Sequence, residues 1–106
     1  MIIMMDAIDI KQQDLAIVRV ILNNALPNNA RVFVFGSRAK NTTKRSSDLD
    51  IAIDVGRSLS RAEALELADQ FEESDLSYRV DIVDLCSVSG VFKSIVTSQM
   101  VPLITH

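Results

Sequence analysis

Two aspartates one residue apart, Asp48 and Asp50, stand at the start of an apolar run and are the residues best suited to chemistry. In an extended segment their side chains point to the same side, because strand side chains alternate with a period of two. Two carboxylates held a few ångströms apart are costly to keep ionised unless a cation lies between them. A hard divalent metal such as Mg²⁺ relieves that cost and leaves positions open for substrate phosphates. The pair therefore predicts a metal site that accepts a phosphate-bearing substrate.

The turn at Gly36 and Ser37, which ends the apolar run 32–35, suits phosphate binding. Glycine lets the backbone approach a ligand closely, and a helix that begins at this point directs free N–H groups at an anion. Ser37 is suited to cap a short helix that runs to about Asn41. Arg38 beside it suits phosphate oxygens or a nucleobase face. We therefore expect Gly36, Ser37 and Arg38 to bind phosphate and the two aspartates to bind metal.

A catalytic two-metal site usually needs a third carboxylate, and a later apolar run offers Asp81 and Asp84. Asp81 lies between Val80 and Ile82, in the middle of the run, where an uncompensated carboxylate would be costly. Asp84 lies near the end of the run, where a solvated or turn-capping role suits it better. The residues favour Asp81 and leave Asp84 as the alternative.

The spacing of apolar residues predicts the elements that position these side chains. Recurrence at helical spacing predicts amphipathic helices, and short apolar runs predict strands. Ser60 and Glu63 form a capping box that opens one of the helices. The predicted order is helix, strand, short helix, strand, helix, strand, helix and edge strand, over residues 9–24, 31–35, 37–41, 49–55, 61–74, 78 or 79–85, 89–99 and 101–104. This order indicates an α/β (α+β) fold, a small mixed β-sheet backed by helices.

The second strand has two unlike faces, and this difference predicts which side holds the site. One face is apolar and should pack on helices; it carries Leu49, Ile51, Ile53 and Val55. The other face should border an active-site cleft; it carries Asp48, Asp50, Ala52 and Asp54. Asp54 lies farther along the strand than the metal pair, and we expect a structural role for it.

Length, charge and single residues exclude several classes of function. The 106 residues suffice for one domain, taken as 1–106, and the net charge of −3 argues against a general nucleic-acid binder. No apolar stretch approaches the roughly 20 residues that span a bilayer, so we expect a cytoplasmic protein with no membrane contact. Cys86 is the only cysteine, expected to be small and buried, and leaves no disulfide framework. His106 is the only histidine, which argues against histidine-based catalysis.

Read together, Gly36-Ser37-Arg38-Ala39 and the later Asp48-Leu49-Asp50 resemble the signature of the DNA polymerase β-like nucleotidyltransferase superfamily, G-S-x-A followed by D-x-D. Within it, the chain resembles the minimal nucleotidyltransferases, members of which act as antitoxins beside a HEPN-domain toxin. One position departs from the pattern, since many relatives carry glycine where this chain has Asn41. Asparagine tolerates left-handed backbone angles better than most residues, so the turn can be kept.

The resemblance implies a Mg²⁺-dependent enzyme that moves AMP from ATP to a hydroxyl, typically a tyrosine, on a partner HEPN ribonuclease toxin. The Gly36-Ser37 turn would hold the β- and γ-phosphates, and Asp48 and Asp50 would bind two Mg²⁺ ions. The resemblance also places the third aspartate at Asp81, with the role of general base and metal ligand. The expected assembly is a hetero-oligomer of antitoxin and toxin, in which the transfer silences the toxin.

Two alternatives stay open at this stage. The chain could be an antitoxin that neutralises by binding alone, although the intact Gly36, Asp48, Asp50 and Asp81 argue against a vestigial site. It could also be the catalytic subunit of a small-molecule, antibiotic-type nucleotidyltransferase with a helical partner. If the partner is a HEPN toxin, exposed apolar residues on the first helix or on 91–96 would provide the docking surface.

Overall fold

The computed structural model describes residues 10–36 and 48–103, which form a four-stranded sheet and three helices. The elements are α1 (Gln12–Ala25), β1 (Arg31–Phe35), β2 (Leu49–Asp54), α2 (Arg61–Glu72), β3 (Val80–Asp84), α3 (Gly90–Gln99) and β4 (Val101–Leu103). Their order confirms the prediction of an α/β fold, with bounds shifted by a few residues. The predicted short helix from Ser37 to Asn41 lies outside the described residues. No helix within the described ranges is long and apolar enough to cross a membrane.

The sheet is mixed, with the strand order β3-β2-β1-β4. β1 pairs antiparallel with both β2 and β4, whereas β2 and β3 are parallel. β4 is an edge strand, as predicted, and its Pro102 is tolerated there because an edge strand leaves half of its N–H groups without a ladder partner. β2 lies between two neighbours, so the strand with the paired aspartates is an interior strand.

The main core lies on one face of the sheet, beneath α1 and α2. Leu49, Ile51 and Ile53 of β2 are completely buried there, which confirms the face assigned to them by alternation. The helices contribute their apolar stripes: Val18, Ile21 and Leu22 from α1, Leu67 and Phe71 from α2. Burying each such side chain contributes about 1.5–3 kcal/mol, so this layer fixes the position of β2.

The opposite face of the sheet carries α3 and a smaller core. Ala52, Leu85 and Val96 are buried there, and Phe33 and Phe35 pack against them. α3 must cross this face because it connects β3 and β4, which are the two edge strands of the sheet. The expectation that the whole acidic face of β2 borders a cleft is therefore wrong at its middle, since Ala52 is covered.

The N-terminus of α2 is fixed by the capping box that the sequence predicted. Ser60 Oγ accepts a hydrogen bond from Glu63 N at 3.1 Å, and Ser60 N donates to Glu63 Oε1 at 2.8 Å. Arg57 adds a bidentate ion pair, with its Nη atoms 2.8 and 2.9 Å from the two Glu63 carboxylate oxygens. The guanidinium of Arg57 and the Ser60 N–H hold the pKa of Glu63 at about 2.

We expect this low pKa to make α2 sensitive to acid. The folded state favours ionised Glu63, so its contribution is complete above the ordinary glutamate pKa of 4.5 and is lost as the pH falls toward 2. The melting temperatures of the wild type and Glu63→Gln should therefore differ at pH 6 and converge as the pH falls through this window. A difference that stays constant from pH 6 to pH 2.5 would show that the charge of Glu63 does not stabilise the helix.

Candidate active site

Asp50 and Asp81 are direct neighbours across the parallel pair β2 and β3. Neighbouring strands lie about 4.8 Å apart, so the two side chains emerge side by side on the same face. Leu49 N donates a hydrogen bond to Arg79 O at 2.9 Å, which continues the pairing toward the start of both strands. Asp48 therefore lies opposite Arg79 in the register, and Asp48, Asp50 and Asp81 all lie at this corner of the sheet.

The carboxylate of Asp50 lies at the centre of this group and is half-buried. Its burial, and then the nearby charges of Asp81 and Asp48, raise the pKa of Asp50 above that of an ordinary aspartate. None of the hydrogen-bond donors in residues 10–36 and 48–103 compensates its charge. A cation at this point would remove the cost, because an opposite charge within a few ångströms favours the ionised form.

Gly36 lies directly against the Asp50 carboxylate. It has a positive φ of 77°, a conformation that glycine adopts readily and residues with a Cβ avoid. A Cβ at this position would collide with Asp50 Oδ2 and would lie 3.3 Å from its Cγ. The end of β1 can approach Asp50 this closely only because residue 36 has no side chain. Ser37 and Arg38, the other predicted phosphate-binding residues, lie outside the described residues.

The oxygen donors at this corner suit Mg²⁺. Within the part of the chain that the structure describes, no three His, Cys, Asp or Glu side chains converge as a complete ligand set for one metal ion. Mg²⁺ does not require such a set, because it is usually held by one or two carboxylates, substrate phosphates and water. Asp48, Asp50 and Asp81 can provide carboxylates in pairs, and phosphate oxygens and water can complete the coordination.

Arg79 belongs to this corner and was not singled out in the sequence. Its Nε and Nη2 donate to Asp81 Oδ1 at 3.3 and 3.2 Å, and the side chains of Arg79 and Asp81 are 76% and 41% exposed. The carboxylate of Asp81 was expected to be costly in the middle of an apolar run. Its pairing with Arg79 and its partial exposure to water lower that cost. An exposed ion pair of this kind contributes only about 0–1 kcal/mol, so a stronger ligand can replace Arg79 on Asp81. The spacing of Arg79 and Asp81, one residue apart in a strand, could have indicated the contact.

Asp84, the alternative third carboxylate, lies away from this corner. It points to the opposite face from Asp81, at the far end of β3. It accepts hydrogen bonds from Leu59 N at 2.7 Å, Cys86 N at 3.0 Å and Ser87 Oγ at 2.8 Å. These contacts join the turn after β3 to the loop before α2, so the geometry gives Asp84 a structural position.

Asp54 lies at the other end of β2, and its carboxylate also contacts neighbouring residues of the fold. It accepts a hydrogen bond from Gly56 N at 2.8 Å and forms an ion pair with Arg31. The Gly56 N–H, with a smaller contribution from Arg31, lowers the pKa of Asp54. Cys86 is exposed, so the expectation that it is buried is wrong; its thiol donates to Asp54 Oδ1 at 3.5 Å. The loop after β3 leaves the sheet at this point, and no element in the described ranges covers the thiol.

A mixed sheet that sets paired aspartates beside a glycine turn, with a third aspartate on the adjacent strand, defines a nucleotidyltransferase type of protein. Residues 16–105 match the family described as "Polymerase beta, Nucleotidyltransferase". The chain belongs to this family.

Similar proteins include adenylyltransferases and toxin–antitoxin complexes. The chain is 42% identical over 89 residues to the probable protein adenylyltransferase MntA of Haemophilus influenzae, which covers 84% of this chain and 77% of that protein. A crystal structure of a toxin–antitoxin with AMP-PNP superimposes with a TM-score of 0.72 at 31% identity, over 88% of this chain and 74% of the other. A second structure contains a tri-AMPylated Shewanella oneidensis HEPN toxin in complex with an MNT antitoxin; its TM-score is 0.64 at 30% identity, over 90% and 74% of the two chains.

Proposed function

We propose that this chain is a Mg²⁺-dependent protein adenylyltransferase that moves AMP from ATP to a hydroxyl of a partner HEPN toxin, and thereby acts as its antitoxin. The observation that carries the proposal is the pairing of Asp50 with Asp81 beside Gly36, which sets a carboxylate cluster against a turn suited to phosphates. The similarity to adenylyltransferases and to a complex that contains an AMPylated toxin supports the acceptor class. Tyrosine is the acceptor residue that we expect.

Each residue of the corner has a role in this proposal. Asp48 and Asp50 would hold two Mg²⁺ ions together with phosphate oxygens, and Asp81 would complete the ligands on the acceptor side. Bound Mg²⁺ supplies positive charge to the attacking and leaving oxygens of an in-line displacement. Asp81 would also accept the proton of the attacking hydroxyl. The turn of Gly36, Ser37 and Arg38 would bind the β- and γ-phosphates.

The bond changes follow from these positions. The acceptor oxygen forms a bond to the α-phosphorus of ATP, and the bond between that phosphorus and the bridging oxygen to the β-phosphate breaks. Pyrophosphate leaves with the electrons of the broken bond, and AMP remains on the acceptor. The 1–106 chain forms one minimal catalytic domain in this scheme, and the partner protein supplies the hydroxyl.

The test of the proposal is label transfer from ATP with Mg²⁺ to the product of the adjacent gene, which the proposal expects to be a HEPN-domain toxin. Label at the α-phosphate should appear on the partner, whereas label at the γ-phosphate should leave as pyrophosphate. Chelation of Mg²⁺ should abolish the transfer. A stable complex that acquires no α-label would contradict the proposal and favour neutralisation by binding alone.

Gly36→Ala should damage the site far more than it damages the fold. Any residue with a Cβ is strained at positive φ, by about 1–2 kcal/mol, and here the Cβ would also displace the Asp50 carboxylate. Gly56→Ala is the matched control, because Gly56 has a similar φ of 84° and open space around its Cβ position. Both variants should lose similar thermal stability, but only Gly36→Ala should lose transfer, by about a hundredfold for a misplaced catalytic group. Equal transfer by the two variants would separate Gly36 from the active site.

A further inference from the structure

β3 is an edge strand, and it carries Asp81, the third aspartate of the candidate site. The strand order β3-β2-β1-β4 gives it one neighbour, β2. Its five residues, from Val80 to Asp84, are all half-buried. Among residues 10–36 and 48–103, no strand pairs with the outer side of β3. A residue proposed to act on the acceptor therefore lies on a strand with an open edge.

The hydrogen bonds between β2 and β3 show which backbone groups of β3 point outward. Leu49 N donates to Arg79 O at 2.9 Å, and Leu85 N donates to Ile53 O at 2.9 Å. Along a strand, one residue directs both its N–H and its C=O to a given neighbour, and the next residue directs both away from it. The two bonds therefore assign the odd-numbered residues of β3 to the pairing with β2, and the even-numbered residues point outward.

Val80 and Ile82 accordingly direct their N–H and C=O groups away from the sheet. Within the part of the chain that the structure describes, these groups have no hydrogen-bond partner. A row of unpaired backbone groups on a sheet edge is a template for a further strand. The ligand that matches it is the main chain of an extended polypeptide, which adds to an edge through backbone hydrogen bonds.

Asp81 lies between these two residues, and its side chain is on the face of the sheet that carries Asp50. Side chains directly opposite on neighbouring strands have Cβ atoms about 4.5–5.5 Å apart, and diagonal neighbours at about 7–8 Å are within reach of aromatic side chains. A residue of an added strand on this face can therefore bring its hydroxyl to the Asp81 carboxylate. A general base needs the hydroxyl at hydrogen-bond distance, and a strand on this edge provides that approach.

We propose that the outer edge of β3 binds an extended segment of the protein acceptor as an additional strand, with the hydroxyl to be adenylylated on the face of Asp81. The proposal rests on the proposed function for the identity of the partner and for the role of Asp81. A second copy of this chain fits the edge less well. Antiparallel pairing of two β3 strands would place both Asp81 carboxylates close together on one face, and like charges across a strand pair are destabilising.

Amide hydrogen exchange of the full chain, followed residue by residue with NMR, tests the proposal. In the free protein the amides of Val80 and Ile82 should exchange about a hundredfold faster than those of Asp81 and Val83, which donate to β2. The partner is the product of the adjacent gene, which the proposed function expects to be a HEPN-domain toxin. In its complex, with AMP-PNP and Mg²⁺ present, the amides of Val80 and Ile82 should slow by about tenfold or more. The Asp81 and Val83 amides serve as the internal reference.

A matched pair of substitutions at Ile82 connects the edge to transfer. Ile82→Pro removes an outward N–H and spares the pairing with β2, because proline is tolerated on the open side of an edge strand. Ile82→Val keeps the N–H and loses only one methylene. AMP-PNP binding and thermal unfolding report the nucleotide site and the fold of both variants. At limiting partner concentration Ile82→Pro should transfer AMP about tenfold more slowly, as expected for a lost hydrogen bond and a blocked edge, while Ile82→Val transfers as the wild type does.

The proposal is overturned if the amides of Val80 and Ile82 exchange as fast in the complex as in the free chain, or if a folded Ile82→Pro transfers as well as Ile82→Val. It is also overturned if these two amides are already slow without the partner. Slowing that increases with protein concentration would mean that the edge joins two copies, and slowing at every concentration would mean that another part of this chain covers it. Failure of the adenylylation reaction would be seen separately, because the wild-type complex would acquire no label while the two amides still slowed.

Discussion

Replacement of Asp50 by asparagine should abolish adenylyl transfer and at the same time make the protein more stable. Asparagine keeps the shape of the side chain but removes the charge that would hold Mg²⁺, and we expect a loss on the order of a thousandfold. In Mg²⁺-free buffer the same change removes a half-buried charge that lies beside Asp81 and Asp48. Asp50→Asn should therefore melt at a higher temperature than the wild type at pH 7.

The stability difference between the wild type and Asp50→Asn should depend on pH. The pKa of Asp50 is raised in the folded state, so the folded protein binds the proton more tightly than the unfolded chain. The wild type should therefore recover stability relative to Asp50→Asn as the pH falls through this raised pKa. The measurements are melting curves in EDTA from pH 7 to pH 4 and label transfer with Mg²⁺.

Asp54→Asn is the matched control, because Asp54 lies on the same strand at its other end. Its pKa is lowered by Gly56 N–H, so its charge is favourable in the folded state. The control should lose stability and keep transfer, which is the opposite of the result expected for Asp50. An Asp50→Asn variant that transfers AMP at the wild-type rate would remove Asp50 from the mechanism.

Substitutions at Asp81 and Asp84 should have opposite effects on transfer and on stability, and should therefore show which of the two is the third carboxylate. Asp81→Asn should lower transfer by a factor of about 10²–10⁴, the range expected on loss of a general base. Its melting temperature should hardly change, because the exposed pair with Arg79 contributes at most about 1 kcal/mol. The measurement is single-turnover transfer at saturating ATP and Mg²⁺, with thermal unfolding of the same samples.

Asp84→Asn should give the reverse result. Its carboxylate accepts three hydrogen bonds in the turns beside β3, and the loss of such partners costs about 1–3 kcal/mol. The variant should melt earlier and still transfer AMP when assayed well below its melting temperature. If Asp84→Asn lost transfer while Asp81→Asn kept it, Asp84 would be the third carboxylate.

Local patterns in the sequence predicted most of the helices and strands and the buried face of β2. The period of two in β2 predicted that Leu49, Ile51 and Ile53 face the core, and all three are completely buried. The capping box at Ser60 and Glu63 predicted where α2 begins. These predictions succeed because they depend on residues close together in the chain, where alternation and capping act directly.

The arrangement of the site depends on contacts between distant parts of the chain, which such patterns do not determine. The sequence offered Asp81 and Asp84 as alternatives, and only the register of β3 against β2 sets Asp81 beside Asp50. A shift of that register by one residue would turn Asp81 to the face opposite Asp50 and would bring Asp84 to the face of Asp50. The covering of Ala52 and the contact of Arg79 with Asp81 likewise follow from the topology of the sheet.

The parallel pairing of β2 with β3 also affects the order in which the site residues come together during folding. Gly36 and Asp50 meet through an antiparallel pair, but Asp81 joins them only after the chain has crossed back through α2 to lie parallel to β2. Parallel pairings close long loops and tend to form late in folding. Catalytic competence should therefore be acquired in one late step during folding. A chain in which β3 has not yet paired with β2 would hold Gly36 and Asp50 together but would lack Asp81 beside them.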